Sequence, residues 1–282
     1  MKDKYSFMEN NQKEIYDSSK RGHPAWEELM GLLRYKDLVF QLVRRDMVSR
    51  YKRSALGVAW TMLNPLGTML ILTIVFSRVF GRVESYPVFV LTGLIVWNFF
   101  SQTTRHCMDS TLWGSGLFKK IYLPRTSFII SSIGTGIVNF LFSLVPLLII
   151  MLFTGTRIQL SAIMLPVILL LLSFFSLGVG LLLSAYSVFF PDIAEMYTIV
   201  LMAWMYLSPV IVPEETLAGI MNSLILKINP LHYLIKLFRL VLYEGIFPPM
   251  SLLLTATGIS FAMFIIGWLV FTKKSDEFAY YV

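Results

Sequence analysis

Six long uncharged segments constrain this chain more than any other feature of its sequence. A helix needs about 20 apolar residues to cross roughly 30 Å of hydrocarbon. A soluble domain of 282 residues could not bury a chain that is 56% hydrophobic. The segments therefore predict an all-α integral membrane protein with six transmembrane helices. They cover residues 59–77, 86–104, 127–153, 160–190, 196–213 and 250–272, and none contains Asp, Glu, Lys or Arg.

The Lys and Arg residues that flank these segments predict the orientation of the chain. Eighteen of the 24 lie before residue 54, in the 105–125 loop or in the tail 273–282, and six lie in the other loops. Because cytoplasmic flanks carry the excess of Lys and Arg, both termini are expected in the cytoplasm. A net charge of +7 would suggest nucleic acid for a soluble protein, but topology and anionic lipid account for cations beside membrane spans. We expect no nucleic-acid partner.

The cations are densest immediately before the first predicted span. Within residues 35–58, Val39, Val43, Met47 and Tyr51 recur every four residues. This spacing predicts an amphipathic helix lying in the membrane interface, with a plain positively charged flank as the alternative. From residue 44 to residue 53 the charged and aromatic residues of this segment are Arg44, Arg45, Asp46, Arg50, Tyr51, Lys52 and Arg53.

A polar loop, residues 105–125, separates the second and third predicted spans. Pro124 would end a helix here, and two lysines lie off its apolar face. Such a short cytoplasmic helix must bury its stripe either on its own bundle or in a soluble partner. The residues that share the apolar face, at i, i+1, i+4 and i+5, are Leu117, Phe118, Ile121 and Tyr122.

The external segment 214–245 is too polar to span a membrane and too apolar for a loose loop. Asn229 followed by Pro230 predicts the start of a helix, and Gly245 predicts its end. We expect two short helices at the outer surface, dipping in and out of the membrane edge. His232, Lys236 and Arg239 would share one face of the second helix, either at lipid phosphates or as an external rim.

The sequence lacks the motifs of an enzyme. It contains no P-loop, no H-E-x-x-H, no G-x-S-x-G and no Cys/His set with metal-ligand spacing. We therefore expect no catalytic residue, no bound metal and no ATPase activity of its own. Cys107 is the only cysteine, so an internal disulfide is impossible.

Aromatic residues make up 15% of the chain. Most are expected in the interfacial belts of a membrane protein. Some are candidates to line a passage, because an aromatic face can pack against the C–H side of a sugar ring. The candidates are Trp60, Phe76, Phe80, Trp97, Phe100, Tyr197, Trp204 and Tyr206.

The stretch LVRRDMVSRYKRSALGVAWTMLNPL, residues 42–66, resembles the N-terminal motif of the permeases of ABC type-2 polysaccharide exporters. That family exports O-antigen, capsule and wall teichoic acid. The later stretches GLFKKIYLPR, FFPDIAE and INPLHYLIKLFR match three further family motifs in order, and the resemblance runs from about residue 35 to the C-terminus. The first motif is carried by Arg45, Asp46, Arg50, Tyr51, Ser54, Leu56, Gly57, Trp60 and Pro65.

The resemblance implies a six-span ABC type-2 transmembrane domain over residues 59–272, preceded by a mobile cytoplasmic extension, residues 1–34. Two copies of the chain would form the channel in the cytoplasmic (inner) membrane of a bacterium. Two separate ATPase subunits would bind ATP and magnesium, so this chain would bind no cofactor. The cargo would be a lipid-linked polysaccharide. The alternatives are an ABC type-2 permease for a drug or lipid, a membrane enzyme, and a passive channel or scaffold.

The same resemblance assigns roles to further groups of residues. The helix of residues 35–58 would be a gate helix at lipid head groups, and the aromatic candidates would guide the glycan. The re-entrant rim would consist of Asn229, Pro230, His232, Lys236 and Arg239. The coupling helix that contacts the ATPase, residues 114–125, would use Gly116, Leu117, Phe118, Lys119, Lys120, Ile121, Tyr122, Pro124 and Arg125.

Overall fold

The computed structural model describes residues 24–52, 54, 56–81, 83–118, 125–220 and 223–278. The regular structure within these ranges is helical. Short 3-10 helices cover Leu160–Met164 and Ser275–Glu277. The α-helices are α1 Pro24–Arg34, α2 Lys36–Tyr51, α3 Ala59–Phe76, α4 Tyr86–Phe118, α5 Thr126–Thr154, α6 Leu165–Ser187, α7 Ile193–Leu207, α8 Glu214–Ile220, α9 Ser223–Ile228, α10 Pro230–Leu242 and α11 Met250–Lys274.

Four segments of the described chain are long and apolar enough to cross a membrane: α3, α5, the continuous stretch Leu160–Ser187 and α11. The prediction of an all-α integral membrane protein is confirmed. Helix α4 is longer than any of these but carries amides and hydroxyls in its middle. Helix α7 has 15 residues, about 22 Å at the usual rise per residue. The count of six spans stays a prediction.

Helix α4 lies at the centre of the bundle. It packs against α3, α5, α6, α7 and α10, and residues 88–97 are all buried. Because protein rather than lipid surrounds this helix, its side chains need not be apolar. The central position of α4 therefore lets it carry polar groups at membrane depth.

Glycines allow the closest helix contacts. A Cβ on Gly267 of α11 would overlap the carbonyl oxygen of Gly178 on α6, and a Cβ on Gly136 of α5 would overlap the Thr103 hydroxyl on α4. Small residues let helices approach in a membrane, where packing rather than the hydrophobic effect drives association. These contacts fix α6 against α11 and α4 against α5.

The N-terminal region differs from the expectation of a mobile extension. Residues 24–34 form α1, which packs against α11 and α5. The Thr126 hydroxyl donates to Glu28 Oε2 at 2.7 Å, and Pro24 occupies the first helical position, which suits its missing N–H. Residues 1–23 lie outside the described part of the chain.

Helix α2 covers the region for which the amphipathic helix is predicted. Val39, Val43 and Met47 are half-buried and Leu42 is buried. Their face packs against α5, where Val43 lies over Gly134. The apolar stripe therefore contacts protein, because the missing side chain of Gly134 leaves room for a branched residue.

The first residues of the predicted short helix, residues 114–118, belong to the end of α4. Helix α4 runs without a break from Tyr86 to Phe118, about 14 residues beyond the predicted end of the second span, since no proline interrupts it. Residues 119–124 lie outside the described residues.

In the external segment the described residues form α8, α9 and α10, and residues 221–222, between α8 and α9, lie outside the description. The expected start of α10 is confirmed, because Asn229 Oδ1 accepts a hydrogen bond from the backbone N–H of Leu231 at 3.1 Å. Gly245 adopts a φ of +70° just after the helix, a conformation that suits glycine.

We predict that Gly267→Ala destabilises the fold, because the new methyl group must push α6 and α11 apart. Overpacking of this kind costs roughly 1–3 kcal/mol. Gly258→Ala on the same helix is the matched control, since a Cβ there meets nothing within 4 Å. Thermal unfolding in detergent should show a lower Tm for the first variant only; equal Tm values would contradict the close contact.

Candidate functional site

A cavity of about 340 Å³ lies between α3, α4 and α5. It is the main candidate for a functional site in the described part of the chain. Uncharged polar and aromatic residues form its walls. The lining residues are Ser54, Trp60, Thr61, Asn64, Pro65, Ile95, Asn98, Phe99, Gln102, Thr103, His106, Ser132, Thr135, Gly136, Asn139, Phe140 and Ser143.

Helix α4 presents one polar face to the cavity. Asn98, Gln102 and His106 follow one another at intervals of four residues, so they lie above one another on one side of the helix. The opposite sides of α4 are packed in the core. The helix therefore directs its amides towards α3 and α5.

Helix α5 supplies the facing wall by the same periodicity. Ser132, Gly136, Asn139 and Ser143 lie at i, i+4, i+7 and i+11, which is one face of a helix. Two polar helix faces thus meet inside a bundle whose outer surface is apolar. A sequence search for charged intramembrane residues misses this pattern, although amides spaced by three or four residues in apolar helices could have revealed it.

Three aromatic rings complete the walls. Trp60, in the first turn of α3, is 53% exposed and lines the cavity. Phe99 and Phe140 follow directly after Asn98 and Asn139, and their rings meet edge to face at 5.8 Å. Aromatic and polar groups therefore alternate around the same space.

One end of the cavity is tied to helix α2. His106 Nδ1 lies 2.8 Å from the Ser132 hydroxyl, and His106 Nε2 lies 3.9 Å from Asp46 Oδ2. The other oxygen of Asp46 accepts from Arg45 at 3.1 Å. This network joins α2, α4 and α5, so that a shift of α2 changes the groups that face the cavity.

Of the other predicted gate-helix residues, Arg44, Arg45 and Lys52 do not line the cavity. Arg44, Arg45 and Lys52 are exposed. Arg50 and Tyr51 belong to the last turn of α2 by their backbone, and Arg53 lies outside the described residues. The exposed cations leave α2 with a positive outer face.

The predicted pore aromatics separate into distinct places. Trp60 alone among them lines this cavity. Phe76 and Phe80 stack at 6.0 Å at the far end of α3. Tyr206 is exposed on α7. Their role in guiding a substrate stays a prediction.

The remaining aromatic candidates belong to the core. Phe100 is fully buried and packs against Trp204 at a centroid distance of 5.1 Å. The Tyr197 hydroxyl lies 2.7 Å from that of Thr104, and Trp97 is buried beside Phe100. Periodicity could not separate Trp97 and Phe100 from Phe99, since both faces of α4 carry aromatic side chains.

Arg239 of the external rim is buried rather than turned to lipid phosphates. Its guanidinium donates to the carbonyls of Val210 at 2.9 Å, of Phe89 at 3.2 Å and of Pro209. It also lies 3.6 Å above the Phe89 ring. The chain between α7 and α8 is not helical, and carbonyls at membrane depth require internal donors. Arg239 supplies them.

The other rim residues form two smaller networks. Asn229 accepts from Trp204 Nε1 and donates to the Ser208 hydroxyl, both at 2.8 Å. Lys236 contacts Glu214 at 2.9 Å, and His232 Nε2 lies 3.5 Å from the same carboxylate. Burial lowers the pKa of His232, and the nearby carboxylate opposes this effect. Pro230 begins α10.

At the opposite end, Arg125 of the predicted coupling segment packs against the C-terminal region. Its guanidinium lies 5.3 Å from the Phe278 ring centroid. Phe278 also packs against Phe189 and Phe271 at 5.8 and 5.5 Å. Gly116, Leu117 and Phe118 are in the last turn of α4 by their backbone, whereas Lys119, Lys120, Ile121, Tyr122 and Pro124 lie outside the described residues.

Residues 37–243 match the family model described as ABC-2 type transporter. The chain is 28% identical over 250 residues to the O-antigen export system permease protein RfbA of Myxococcus xanthus, covering 88% of this chain and 96% of that protein. It is 27% identical over 247 residues to RfbA of Klebsiella pneumoniae, covering 86% and 94%. It is 26% identical over 214 residues to the polysialic acid transport protein KpsM of Escherichia coli, covering 74% and 83%.

We predict that Arg239→Met lowers the free energy of unfolding substantially, since a buried carbonyl that loses its donor costs roughly 1–3 kcal/mol. Lys236→Met on the same helix is the control. Its ion pair with Glu214 is 41% exposed on both sides, and such pairs contribute at most about 1 kcal/mol. Thermal unfolding of both variants checks this prediction. Similar losses of stability in the two variants would contradict the role of Arg239 as the donor that holds these carbonyls.

Proposed function

This chain belongs to the ABC-2 type transporter family, and on that premise we propose that it is the channel-forming subunit of an ATP-driven exporter of a lipid-linked polysaccharide. The observation that carries this proposal is the cavity, whose walls combine amides, hydroxyls and aromatic rings inside an apolar bundle. Its relatives include permeases named for O-antigen export and for polysialic acid transport. They support a glycan as cargo.

The lining of the cavity favours a glycan over a drug or a lipid. An apolar cargo would need an apolar pocket, because amides and hydroxyls that lose water without a new partner raise its free energy of binding. Sugar residues offer hydroxyls to Asn98, Gln102 and Asn139 and C–H faces to the rings of Trp60 and Phe140. The same walls therefore suit both sides of a pyranose.

Two copies of the chain would enclose the transport path, since α3, α4 and α5 of one copy form only one side of it. Large apolar side chains stay exposed on the outer faces of α3 and α5, among them Ile74, Leu148 and Leu152. A second copy can cover part of this surface, and lipid the rest. This exposed apolar surface supports a homodimer. The homodimer would lie in the cytoplasmic membrane of a bacterium, and both termini would be in the cytoplasm.

Separate ATPase subunits would supply the energy, because the sequence contains no P-loop. They would bind ATP and magnesium, and this chain would act as a transport subunit without a cofactor. The end of α4 and the segment up to Arg125 are the proposed contact with the ATPase. Two contacts support this position. Arg125 packs against the Phe278 ring, and the Thr126 hydroxyl donates a hydrogen bond to Glu28.

Co-purification with a co-expressed ATPase subunit tests this assignment. The double variant Phe118→Asp, Tyr122→Asp should lose the ATPase while it still elutes as a folded membrane protein, because two carboxylates cannot enter an apolar cleft without a large desolvation cost. The matched control is Ile246→Asp, Phe247→Asp, which alters two exposed residues directly after the external segment.

The control variant should retain the ATPase. Retention by the Phe118, Tyr122 variant would move the contact elsewhere on the chain. Failure of the unaltered chain to bind any ATPase subunit would overturn the exporter proposal and favour a passive channel or scaffold.

A further inference from the structure

We propose that the cavity binds uncharged, hydroxyl-rich sugar residues, and that the exported polymer is therefore neutral where it passes the walls formed by α3, α4 and α5. This inference rests on the proposed export function and narrows its cargo. The names of the relatives do not decide the charge of the cargo, since one is an O-antigen permease and the other a polysialic acid transporter. The charge, hydrogen-bonding capacity and shape of the cavity walls favour a neutral sugar.

The cavity walls carry no fixed charge. Among the described residues that line it, none is Asp, Glu, Lys or Arg. His106 is the one titratable group of the lining, and it is engaged with Ser132 and with Asp46 of α2. An anionic repeat would find no cation to pair with among the described residues of these walls.

The walls do offer many neutral hydrogen-bonding groups. Each amide of Asn98, Gln102 and Asn139 provides both donors and an acceptor, as sugar hydroxyls do. The Thr103 hydroxyl and Asn139 Oδ1 are buried and have no hydrogen-bond partner within the described part of the chain. Buried polar atoms in folded proteins nearly always have partners. The Thr103 hydroxyl faces Gly136 of α5, whereas Asn139 lies in the cavity wall, so a ligand hydroxyl is the candidate partner for its amide.

Aromatic faces provide the apolar half of the match. The rings of Trp60, Phe99 and Phe140 border the same space as the amides. Aromatic rings present broad apolar surfaces with defined orientation, which the C–H face of a pyranose can cover. A carboxylate or phosphate on each repeat would instead meet apolar surface and uncharged groups.

The cost of an unpaired charge decides between neutral and anionic cargo. A charge that leaves water for a less polar site is strongly disfavoured unless a countercharge accompanies it. The cations Arg44 and Arg45 are exposed on α2 and do not line the cavity. A second copy of the chain would bring the same uncharged walls.

A single engineered thiol tests the inference on the complex with its ATPase in nanodiscs. Gln102→Cys places a thiol in the cavity wall, and the native Cys107 is fully buried and hence unreactive. The measured quantity is the rate of labelling by a small neutral maleimide. It is compared without sugar, with maltoheptaose and with an α2,8-linked sialic acid heptamer at equal concentration.

We expect maltoheptaose to slow labelling of the Gln102→Cys variant severalfold and the sialic acid heptamer to leave the rate unchanged. Ser251→Cys is the control, because residue 251 is exposed at the start of α11, far along the chain from the cavity walls. The labelling of this control should not respond to either sugar. The unaltered chain measures the background from Cys107.

Adding Asn139→Leu to the Gln102→Cys chain should remove the protection by maltoheptaose, measured as the ratio of the labelling rates of the same variant without and with the sugar. Asn98→Leu gives the same test on α4, so that a variant that does not fold leaves a second one. Equal protection by both heptamers would overturn the preference for neutral sugars while leaving the export function standing. Protection by neither, or equal protection of the Ser251→Cys control, would overturn the sugar site itself, whereas ATPase binding tests the exporter assignment separately.

Discussion

The packing of the bundle depends on the hydrogen bonds that the buried Arg239 donates to backbone carbonyls. Helix α7 ends at Leu207, and the chain that follows leaves carbonyls at Pro209 and Val210 that no helix satisfies. The Arg239 guanidinium pairs with them and with Phe89 of α4, which fixes α10 against α4. Helix α10 then covers one side of α4, and α3 and α5 flank the face that carries Asn98 and Gln102, so that protein rather than lipid surrounds this helix. The cavity depends on that shielding.

The cavity is also connected to the predicted cytoplasmic face. Asp46 of α2 reaches His106 of α4, and His106 reaches Ser132 of α5. Arg125, at the start of α5, packs against the C-terminal Phe278. Helix α5 thus carries a wall of the cavity at its middle and a contact for the coupling segment at its beginning. A partner that displaces the proposed coupling segment would act on helix α5, which lines the proposed transport path.

Local chemistry makes part of the structure predictable, and long-range packing hides the rest. Asn229 is recognisable as a cap, since the cue lies in adjacent residues. Helical spacing places Arg239 on a face of α10 but does not reveal that protein rather than lipid covers it. The polar ladder of α4 and α5 escapes a search for charges, since it contains amides. The helix of residues 24–34 is equally hidden, because its partners, α5 and α11, are remote in sequence.

The most direct test of the proposed export path is ATP-dependent glycan transport across a membrane. The chain and its ATPase are placed in liposomes with a lipid-linked neutral oligosaccharide on the ATP-accessible side, and its appearance on the other side is measured with a lectin. We expect transport that requires ATP and is lost when Gln102→Trp fills the cavity, while the exposed control Met202→Trp on α7 retains it. Equal transport by Gln102→Trp, or none by the unaltered complex, would contradict this path.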